Sequence, residues 1–264
     1  MIEQRWMLLL LGWALAAALQ AILYLRQRQT RDATLVDAGW AFSLALLAVF
    51  YAVLAPGAIE HRLLVAVLVS VESLRIAWLV VKRIGHGEDT RYAELRARWR
   101  ARGREQSSFA VFFQAQAFIA AFLSLPWLLA AFNGHDGLEP LEWAGAALWA
   151  GAAAGEAVAD RQLAAYKARP DSKGTTMREG LWRYSRHPNY FFQWLTWVAY
   201  ALIALAAPYG WLGLAAPVVM LLLILFVTGI PPAEEQALRS RGDDYRRYQR
   251  ETSAFVPLPP RRAA

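Results

Sequence analysis

The sequence predicts an all-α membrane protein with seven transmembrane helices in one bundle. Hydrophobic residues make up 57% of the 264 residues, and the mean hydropathy is +0.25, which are high values for a soluble domain. Seven stretches are long enough, or nearly so, to cross a bilayer as a helix, which takes about 20 residues. Basic residues are concentrated in alternate connections between these stretches, as in the cytoplasmic loops of membrane proteins.

The apolar stretches justify the seven helices one by one. In chain order they lie at residues 7–25, 35–55, 63–81, 109–132, 141–159, 191–207 and 211–230. The first lacks a small-residue cleavage site before the next polar segment, so we interpret it as a retained helix rather than a signal peptide. The fifth is rich in alanine, and its small-xxx-small pair, Gly151 and Gly155, predicts a close approach between helices.

The charges of the connections predict the orientation of these helices. Three arginines follow the first stretch, eight basic residues the third, seven the fifth and seven the last. Within the other connections, residues 56–61, 133–140 and 208–210 contain no lysine or arginine. This alternation predicts an N-terminus outside and a C-terminus in the cytoplasm. The alternate arginines from Arg96 to Arg104 spread charge around a helix, and we interpret them mainly as contacts to anionic lipid headgroups.

Composition also excludes several kinds of site. Because the chain has no cysteine, it has no disulfide, no thiolate metal ligand and no cysteine nucleophile. The four histidines do not form a paired-histidine motif, and we predict no metal. The net charge of +7 is interpreted as an orientation signal, so no nucleic-acid partner is expected. No glycine-rich strand–turn–helix motif of a Rossmann domain occurs.

Ionisable and amide side chains within the apolar stretches are candidates for a functional site, because such groups are costly inside a membrane. Glu72 and Arg75 lie three residues apart and therefore on one helix face. Each polar group also has a structural alternative, as a buried ion pair, a snorkelling acid or an interhelical hydrogen bond. Convergence favours a functional site, because the predicted topology brings several of them to the cytoplasmic half, namely Asp37, Asp160, Asn189 and Gln193.

Two loops carry groups suited to a phosphate-bearing cofactor. The run GHGEDTRY, residues 85–92, combines two acids with an arginine and a tyrosine. Guanidinium groups bind phosphate oxygens, whereas carboxylates accept hydrogen bonds from ribose hydroxyls or an amide. In RHPNY, Pro188 suits the first turn of a helix, so free backbone N–H groups would face an anion beside Arg186 and His187.

Five motifs occur in a fixed order: VDAGW, the G-x-G-E-D-x-R-Y run, a glutamine ten residues before Pro126, GLWRYSRHPNYFFQW, and PPAEEQALRSRGDDYRRY followed by FVP. In their order and spacing the chain resembles the steroid 5α-reductase family, and more closely its bacterial members, from Asp37 onward. The resemblance implies seven membrane helices in a bacterial inner membrane. It also implies NADPH as cofactor and reduction of the C4–C5 double bond of a 3-oxo-Δ4-steroid.

The resemblance implies roles for individual residues. Asp37 and Glu72 would be the catalytic groups that grip the C3 carbonyl, although family members often have glutamate and tyrosine there. Trp40, one turn from Asp37, is the candidate for substrate binding. Together with the basic loops, the resemblance gives these predicted cofactor contacts: Arg83, Glu88, Asp89, Arg91, Tyr92, Gln116, Asp160, Lys167, Tyr184, Arg186, His187, Asn189, Gln193 and Glu234. Gln193 stands where a glutamate is often found, and its amide can still hold a nicotinamide carboxamide.

The chemistry of an enone reduction suits these residue types. Hydride attack at C5 develops negative charge on the C3 oxygen, which needs a proton donor or a strong hydrogen-bond donor in a dry site. An acid in an apolar wall can stay protonated and donate. The sequence does not identify the donor. We find no domain linker, so residues 1–264 are predicted as one reductase domain, with the substrate-side helices and first cofactor loop in residues 1–108 and mainly cofactor-binding elements in residues 109–264.

Two other classes of function stay open. An integral-membrane methyltransferase of the isoprenylcysteine carboxyl methyltransferase type would share the RHP helix start and a Glu-Glu element, and would bind S-adenosylmethionine. It would have less need of Asp37, Glu72, Gln116 and GEDTRY. A lipid-binding or scaffold protein would show no turnover at all. The expected partners of a reductase are a steroid or related enone lipid and the bilayer. The oligomeric state is not fixed by the sequence, and we expect a monomer.

Overall fold

The computed structural model of the chain describes residues 2–81 and 87–261, and within them it contains helices, turns and loops but no strand. The α-helices are α1 (Ile2–Thr30), α2 (Leu35–Leu54), α3 (Ile59–Val81), α4 (Thr90–Ala101), α5 (Glu105–Leu123), α6 (Leu125–Ala130), α7 (Pro140–Lys167), α8 (Pro188–Ala204), α9 (Ala215–Leu222) and α10 (Ile230–Glu251). The all-α prediction is thereby confirmed for these residues.

Helices lie at all seven stretches that hydropathy predicts, but fewer of them qualify as membrane spans. Five segments of the described residues are long and apolar enough to cross a membrane: Glu3–Thr30, Leu35–Leu54, Ile59–Val81, Glu105–Ala130 and Gly210–Glu251. In α7, alanine and glycine, which are less apolar than leucine or valine, dominate the membrane-length part. The other helix, α8, has only 17 residues. The structure is therefore that of a helical membrane protein with five candidate spans.

Exposed apolar side chains fit this assignment. Val53 in the second candidate span is 68% exposed, and Phe226 in the last is 69% exposed. Large apolar groups in such numbers on helix surfaces are unusual for a protein surrounded by water and are suited to contact with lipid chains.

The fourth predicted stretch consists of two helices. The first, α5, ends at Leu123, and α6 begins at Leu125, because Pro126 in the first turn of α6 cannot continue the hydrogen bonding of α5. Ser124, at the break, is fully buried, and its hydroxyl donates to the carbonyl of Ala121 at 2.7 Å. It also lies 3.0 Å from the hydroxyl of Tyr51 in α2.

The chain divides into two compact units. The first unit comprises the chain up to Glu142 together with Ile203–Gly213. In it α2 packs against α3, and α1 packs against α2 and α5. Its core contains the fully buried side chains of Leu47, Tyr51 and Trp127.

A buried hydrogen-bonded pair, His61 and Glu142, lies in the first unit. His61, in the first turn of α3, places Nδ1 at 2.6 Å from Glu142 and Nε2 at 2.9 Å from the carbonyl oxygen of His135. The second carboxylate oxygen of Glu142 accepts the backbone N–H of Glu139 at 2.9 Å. The side chains of His61 and Glu142 are both fully buried, so every polar atom of the pair has its partner inside the protein.

The second unit comprises Trp143–Leu202 and the chain from Leu214 onward. In it α7 and α8 approach closely at Gly155, where an added Cβ would lie 2.5 Å from the ring of Phe192. At Gly151 an added Cβ would meet nothing within 4 Å. The sequence prediction of a glycine packing pair is thus confirmed at Gly155 and wrong at Gly151, because Gly151 is on an exposed part of the helix.

A π-helical turn, Leu223–Val227, leads from α9 toward α10. Gly229 precedes α10, and a Cβ there would lie 2.6 Å from the carbonyl oxygen of Ile224. Only glycine allows the backbone to pass that close. This turn places the polar helix α10, with Glu234 in its first turns, directly after an apolar segment.

Candidate functional site

The predicted site residues fall in both compact units. Those of the first unit are Asp37, Trp40, Glu72, Glu88, Asp89, Arg91, Tyr92 and Gln116. Those of the second unit are Asp160, Lys167, Tyr184, Arg186, His187, Asn189, Gln193 and Glu234. Arg83 lies outside the described residues. The single chamber that the sequence predicts for all of them stays a prediction.

In the first unit, the structure brings Asp37 together with Tyr92 and Arg91. The Tyr92 hydroxyl donates to one oxygen of Asp37 at 2.5 Å, and Nη2 of Arg91 donates to the other at 2.8 Å. Asp37 lies in the first turn of α2, and its two partners lie in the first turn of α4. The resemblance implied a catalytic role for Asp37 and cofactor contacts for both partners, so the structure joins groups that were expected to have different roles.

The first turn of α4 is organised by its N-cap. The side chain of Asp89 accepts the backbone N–H of Arg91 at 3.0 Å, which satisfies a free donor of the helix start. It also accepts the Arg91 side chain through Nε and Nη2, each at 3.0 Å. The backbone N–H of Asp89 donates to the Thr34 hydroxyl at 2.9 Å, which ties this turn to the residue before α2. The cap therefore fixes the direction in which Arg91 meets Asp37.

Glu88 belongs to a second ionic network. It accepts the backbone N–H of Ala33 at 2.9 Å and both Nε and Nη2 of Arg96, at 2.9 and 2.7 Å. Arg96 is 6% exposed and also donates to Glu105 at 2.7 Å. The interpretation of Arg96 as a contact to lipid headgroups is therefore wrong, because acids on both sides of α4 pair with it. Arg100 likewise pairs with Glu105, at 2.8 Å.

Electrostatics keep these α4 groups in defined protonation states. Burial, and after it the negative charge of Asp37, raise the pKa of the Tyr92 phenol well above its ordinary value. Burial alone would lower the pKa of the Arg91 guanidinium, but the hydrogen bonds to Asp89 and the charge of Asp37 outweigh burial and raise it. Tyr92 therefore keeps its proton at physiological pH, and Arg91 keeps its charge.

Glu72 and Trp40 lie at nearly the same level along their helices as Asp37. The helices α2 and α3 are joined by four residues and pack on each other, so they run antiparallel. Counted by helical rise from their connection, Glu72 on α3 is about 6 Å along the helix axis from the level of Asp37 on α2. Glu72 is 7% exposed. The indole N–H of Trp40 is buried and has no hydrogen-bond partner in the described part of the chain. A buried donor of this kind is a candidate contact for a ligand oxygen.

Two buried amides in α1 were not among the predicted site residues. Gln20 and Gln27 are at most 1% exposed, and both polar atoms of each side chain have no partner among the described residues. They are seven residues apart and therefore share one face of α1. Gln20 approaches Gly39 of α2, where an added Cβ would lie 3.5 Å from its Nε2. The signal was available for Gln20, because an amide in an apolar stretch is the same feature that singled out Gln116, whereas Gln27 lies just beyond the predicted stretch at residues 7–25.

In the second unit, Glu234 is the centre of a hydrogen-bond network. One oxygen accepts Nε of Arg186 at 2.6 Å and the Tyr245 hydroxyl at 3.3 Å, and lies 3.4 Å from Nε2 of His187. The other oxygen accepts the amide of Gln249 at 2.8 Å. The structure thus brings three of the predicted residues together, Arg186, His187 and Glu234, although partners within the protein occupy both Glu234 oxygens.

Hydrogen bonds hold the Arg186 side chain in place, but one nitrogen of its guanidinium has no partner among the described residues. Nη1 donates to the carbonyl oxygens of Gln249 and Thr252, at 3.1 and 2.6 Å. Among the described residues, Nη2 has no hydrogen-bond partner, so its two N–H groups are available to a ligand. Arg186 lines a cavity of about 260 Å³ with Arg250 and Arg261, two arginines that were not among the predicted site residues. Their position in a polar tail carries no periodic signal.

The segment after α10 holds the loop that precedes α8 in position. Ser185 and Ser253 form a parallel bridge, and the backbone N–H of Arg186 donates to the carbonyl of Ser253 at 2.8 Å. The Ser185 hydroxyl donates to the carbonyl of Phe255 at 2.7 Å, and the backbone N–H of Leu258 donates to the carbonyl of Tyr184 at 3.0 Å. The start of α8 is therefore positioned by residues about 70 positions later in the chain.

The remaining predicted residues are arranged along α7 and α8. Asn189 donates to Asp160 at 3.2 Å, which joins the start of α8 to α7. Gln193, one turn further along α8, is half-buried, and its side-chain amide forms no hydrogen bond with a described residue. His187 stacks on Tyr190, with ring centroids 5.3 Å apart. Two others, Lys167 and Tyr184, are exposed.

The fold and these groups define a helical membrane protein with buried carboxylate, phenol and amide groups in its first unit and a basic cavity in its second. The family model described as protein of unknown function (DUF1295) matches residues 23–252, and the chain belongs to that family. No curated protein and no solved structure matches the chain.

Proposed function

We propose that this protein is an NADPH-dependent reductase of the steroid 5α-reductase type, which reduces the C4–C5 double bond of a 3-oxo-Δ4-steroid or a related enone lipid. The membership in DUF1295 supports the proposal, because that family is associated with steroid 5α-reductase-like proteins. The proposal includes seven membrane helices with the N-terminus outside and the C-terminus in the cytoplasm of a bacterial inner membrane. No nucleic acid takes part, and the protein acts as a monomer.

The observation that carries the proposal is the pairing of Tyr92 with Asp37 at 2.5 Å. A neutral phenol held against a carboxylate is a hydrogen-bond donor with a fixed direction. An enone oxygen beside this pair would accept the phenol hydrogen bond in place of Asp37. The unpaired indole N–H of Trp40, one turn along α2, offers a second donor to the same ligand. Together they would stabilise the negative charge that develops on the C3 oxygen.

Protonation of the product also requires an acid from the protein. In this proposal the hydride adds to C5, the enone electrons move to the C3 oxygen, and a proton then reaches C4. Tyr92 keeps its proton at physiological pH and can lend it to the C3 oxygen while Arg91 balances the charge left behind. Glu72, buried in α3, is the second candidate donor.

The second unit provides groups that fit a dinucleotide. Nη2 of Arg186 and the neighbouring Arg250 and Arg261 would bind phosphate oxygens in the basic cavity. The amide of Gln193 both donates and accepts, as a nicotinamide carboxamide requires. Bound NADPH would supply the hydride, and the protein would contribute position and electrostatics.

The test is turnover by the purified full-length protein in detergent. We expect NADPH absorbance at 340 nm to fall only when a 3-oxo-Δ4-steroid such as testosterone is added, with the 5-reduced product seen by mass spectrometry. The same sample is given labelled S-adenosylmethionine and a prenylcysteine acceptor. Methyl transfer without NADPH oxidation would replace the proposal by a methyltransferase. Neither reaction, together with no binding of NADPH, would favour a lipid-binding or scaffold protein.

A further inference from the structure

Arg5, in the second turn of α1, is a buried cation without an acidic partner. It is 7% exposed, and within the described residues its guanidinium forms no hydrogen bond and no ion pair. Its Cζ lies 4.9 Å from the ring centre of Phe132 and 5.2 Å from that of Tyr209. An arginine keeps its charge when buried, and two ring faces replace only part of the lost hydration. The site therefore has a positive charge that needs an anion.

Arg62, also in the first unit, is handled differently. Its Nη1 donates to the carbonyl oxygens of Ala52 and Ala55, at 3.0 and 3.2 Å. The backbone thus provides acceptors for Arg62, whereas the described residues provide none for Arg5. Arg5 is also far from the Asp37 group, because α1 extends for about 40 Å between the ends at which the two lie. An anion at Arg5 would be separate from the candidate reductase site.

The surroundings of Arg5 are apolar and contain space. Arg5 lines a cavity of about 130 Å³ whose other walls include Leu125, Leu128 and Leu129 of α6 and Leu212. An apolar cavity of roughly this size, about 150 Å³, can take up a benzene ring. A free hydrated anion gains nothing from leucine walls, whereas a hydrocarbon chain does. The anion suited to this cavity therefore carries an apolar chain.

A second apolar cavity also lies against α1. It has a volume of about 230 Å³ and lies between Leu9, Leu10 and Trp13 of α1 and Phe118 and Phe122 of α5. On α1, Leu9, Leu10 and Trp13 follow Arg5 by one to two turns. Phe118 and Phe122 of α5 precede the leucines of α6 in the chain. The two cavities share no lining residue, but both lie against α1, one beside α6 and the other beside α5. We call the α1 surface that lines them the apolar groove, with Arg5 at one end.

We propose that this groove binds an acidic lipid, with the anionic headgroup on Arg5 and an acyl chain along α1. The guanidinium fork suits a phosphate or a carboxylate, and both are headgroup chemistries of acidic lipids. The exposed side chains of Trp6 and Leu10, at 48% and 62%, leave the groove open from the side, so that a lipid can enter from the bilayer.

The experiment compares lipids retained by the full-length protein. Delipidated protein is incubated with equimolar phosphatidylglycerol and phosphatidylcholine, and bound lipid is counted by native mass spectrometry. The wild-type protein should prefer phosphatidylglycerol, and Arg5→Gln should lower that preference about tenfold, as expected for the loss of one charged hydrogen bond. Arg28→Gln is the matched control, because Arg28 is exposed on the same helix and the charge change is identical. It should leave the preference unchanged.

Further experiments distinguish binding of a lipid from binding of a free anion. They also test the proposal without relying on the folding of Arg5→Gln. Leu212→Trp narrows the cavity while Arg5 remains, and it should also lower phosphatidylglycerol binding. Oleate, which has one chain and one anionic group, should displace the lipid, whereas inorganic phosphate should not. A wild-type protein without preference for the acidic lipid would overturn the proposal, even if Arg5→Gln did not fold. Equal displacement by inorganic phosphate and oleate would also overturn it.

Discussion

Tyr92 donates a 2.5 Å hydrogen bond to Asp37 and so joins the first turn of α4 to the first turn of α2. The bond matters for the proposed reaction, because it gives the phenol a fixed direction at the end of an apolar helix pair. It also gives the simplest test of which group acts on the enone.

Replacement of Tyr92 by phenylalanine should lower turnover about 10²-fold, the scale of a lost general acid, while NADPH affinity changes less than threefold. Steady-state oxidation of NADPH and a fluorescence titration of cofactor binding measure the two quantities. Tyr24→Phe is the control, because Tyr24 only packs against Phe113 with its ring edge. If Tyr92→Phe lost cofactor affinity instead, Tyr92 would be a cofactor contact, as the sequence predicted.

The acids are tested in the same way. Asp37→Ala and Glu72→Ala should each reduce turnover more than they reduce NADPH binding, because Asp37 holds the phenol of Tyr92 in place and Glu72 is the second candidate proton donor. The ratio of turnover loss to affinity loss, measured for each variant, is the readout. Parallel loss of cofactor binding in both variants would mean that the division between catalytic and cofactor groups is wrong.

Arg186 should be needed for cofactor affinity. Arg186→Gln removes the guanidinium whose Nη2 is available, and we expect NADPH to bind about tenfold more weakly or worse. Arg186→Lys should recover little, because a single ammonium group cannot replace both the fork and its contact to Glu234. Arg183→Gln is the control in the same loop, since Arg183 is exposed. Titration calorimetry would contradict the expectation if Arg183→Gln and Arg186→Gln bound NADPH equally well.

The two glycines of α7 make a matched pair for stability. Gly155→Ala places a Cβ 2.5 Å from the Phe192 ring and should destabilise the protein by about 1–3 kcal/mol. Gly151→Ala meets nothing within 4 Å and should be neutral or slightly stabilising, because alanine favours a helix. Thermal unfolding in detergent measures both. Adding Phe192→Leu to Gly155→Ala should restore part of the loss, and equal unfolding temperatures for the two alanine variants would refute the packing argument.

The buried pair of His61 and Glu142 should be sensitive to removal of one partner. His61→Ala leaves a buried carboxylate unpaired, so a loss of about 3–5 kcal/mol is expected, or roughly 10 °C in the unfolding midpoint. Replacing both residues by leucine removes both charges and should cost much less. A double variant as unstable as the single one would mean that the contact contributes through shape rather than charge.

Hydropathy predicted the helices because long apolar runs have few alternatives in a chain of this composition. The break at Ser124 follows from Pro126, so the sequence contained that signal as well. Pairs between distant residues could not be predicted in this way. Arg186 and Glu234 are 48 residues apart, and no periodicity within one helix connects them. Their proximity was expected only from a family resemblance.

Charge patterns were least informative where the partner lies on another element. Arg96 was expected to face lipid headgroups because its neighbours alternate, but Glu88 and Glu105 surround it. Neither acid stands three or four residues from Arg96, where a helical ion pair would be sought. Gln20 and Gln27 were not predicted for another reason: length and charge alone identified the first stretch, and Gln27 lies beyond its end among the arginines that follow it.

The end of α10 and the segment that follows it have a consequence for the order in which the chain folds during biosynthesis. The ribosome makes residues 249–258 after it has made α7, α8 and α9, yet their backbone carbonyls hold Arg186 and Ser185 in place. A nascent chain that has already inserted these helices still has a loosely held arginine loop. The basic cavity is completed only when this late segment folds back, so a chain cut before residue 249 would lack the cavity that we propose as the nucleotide site.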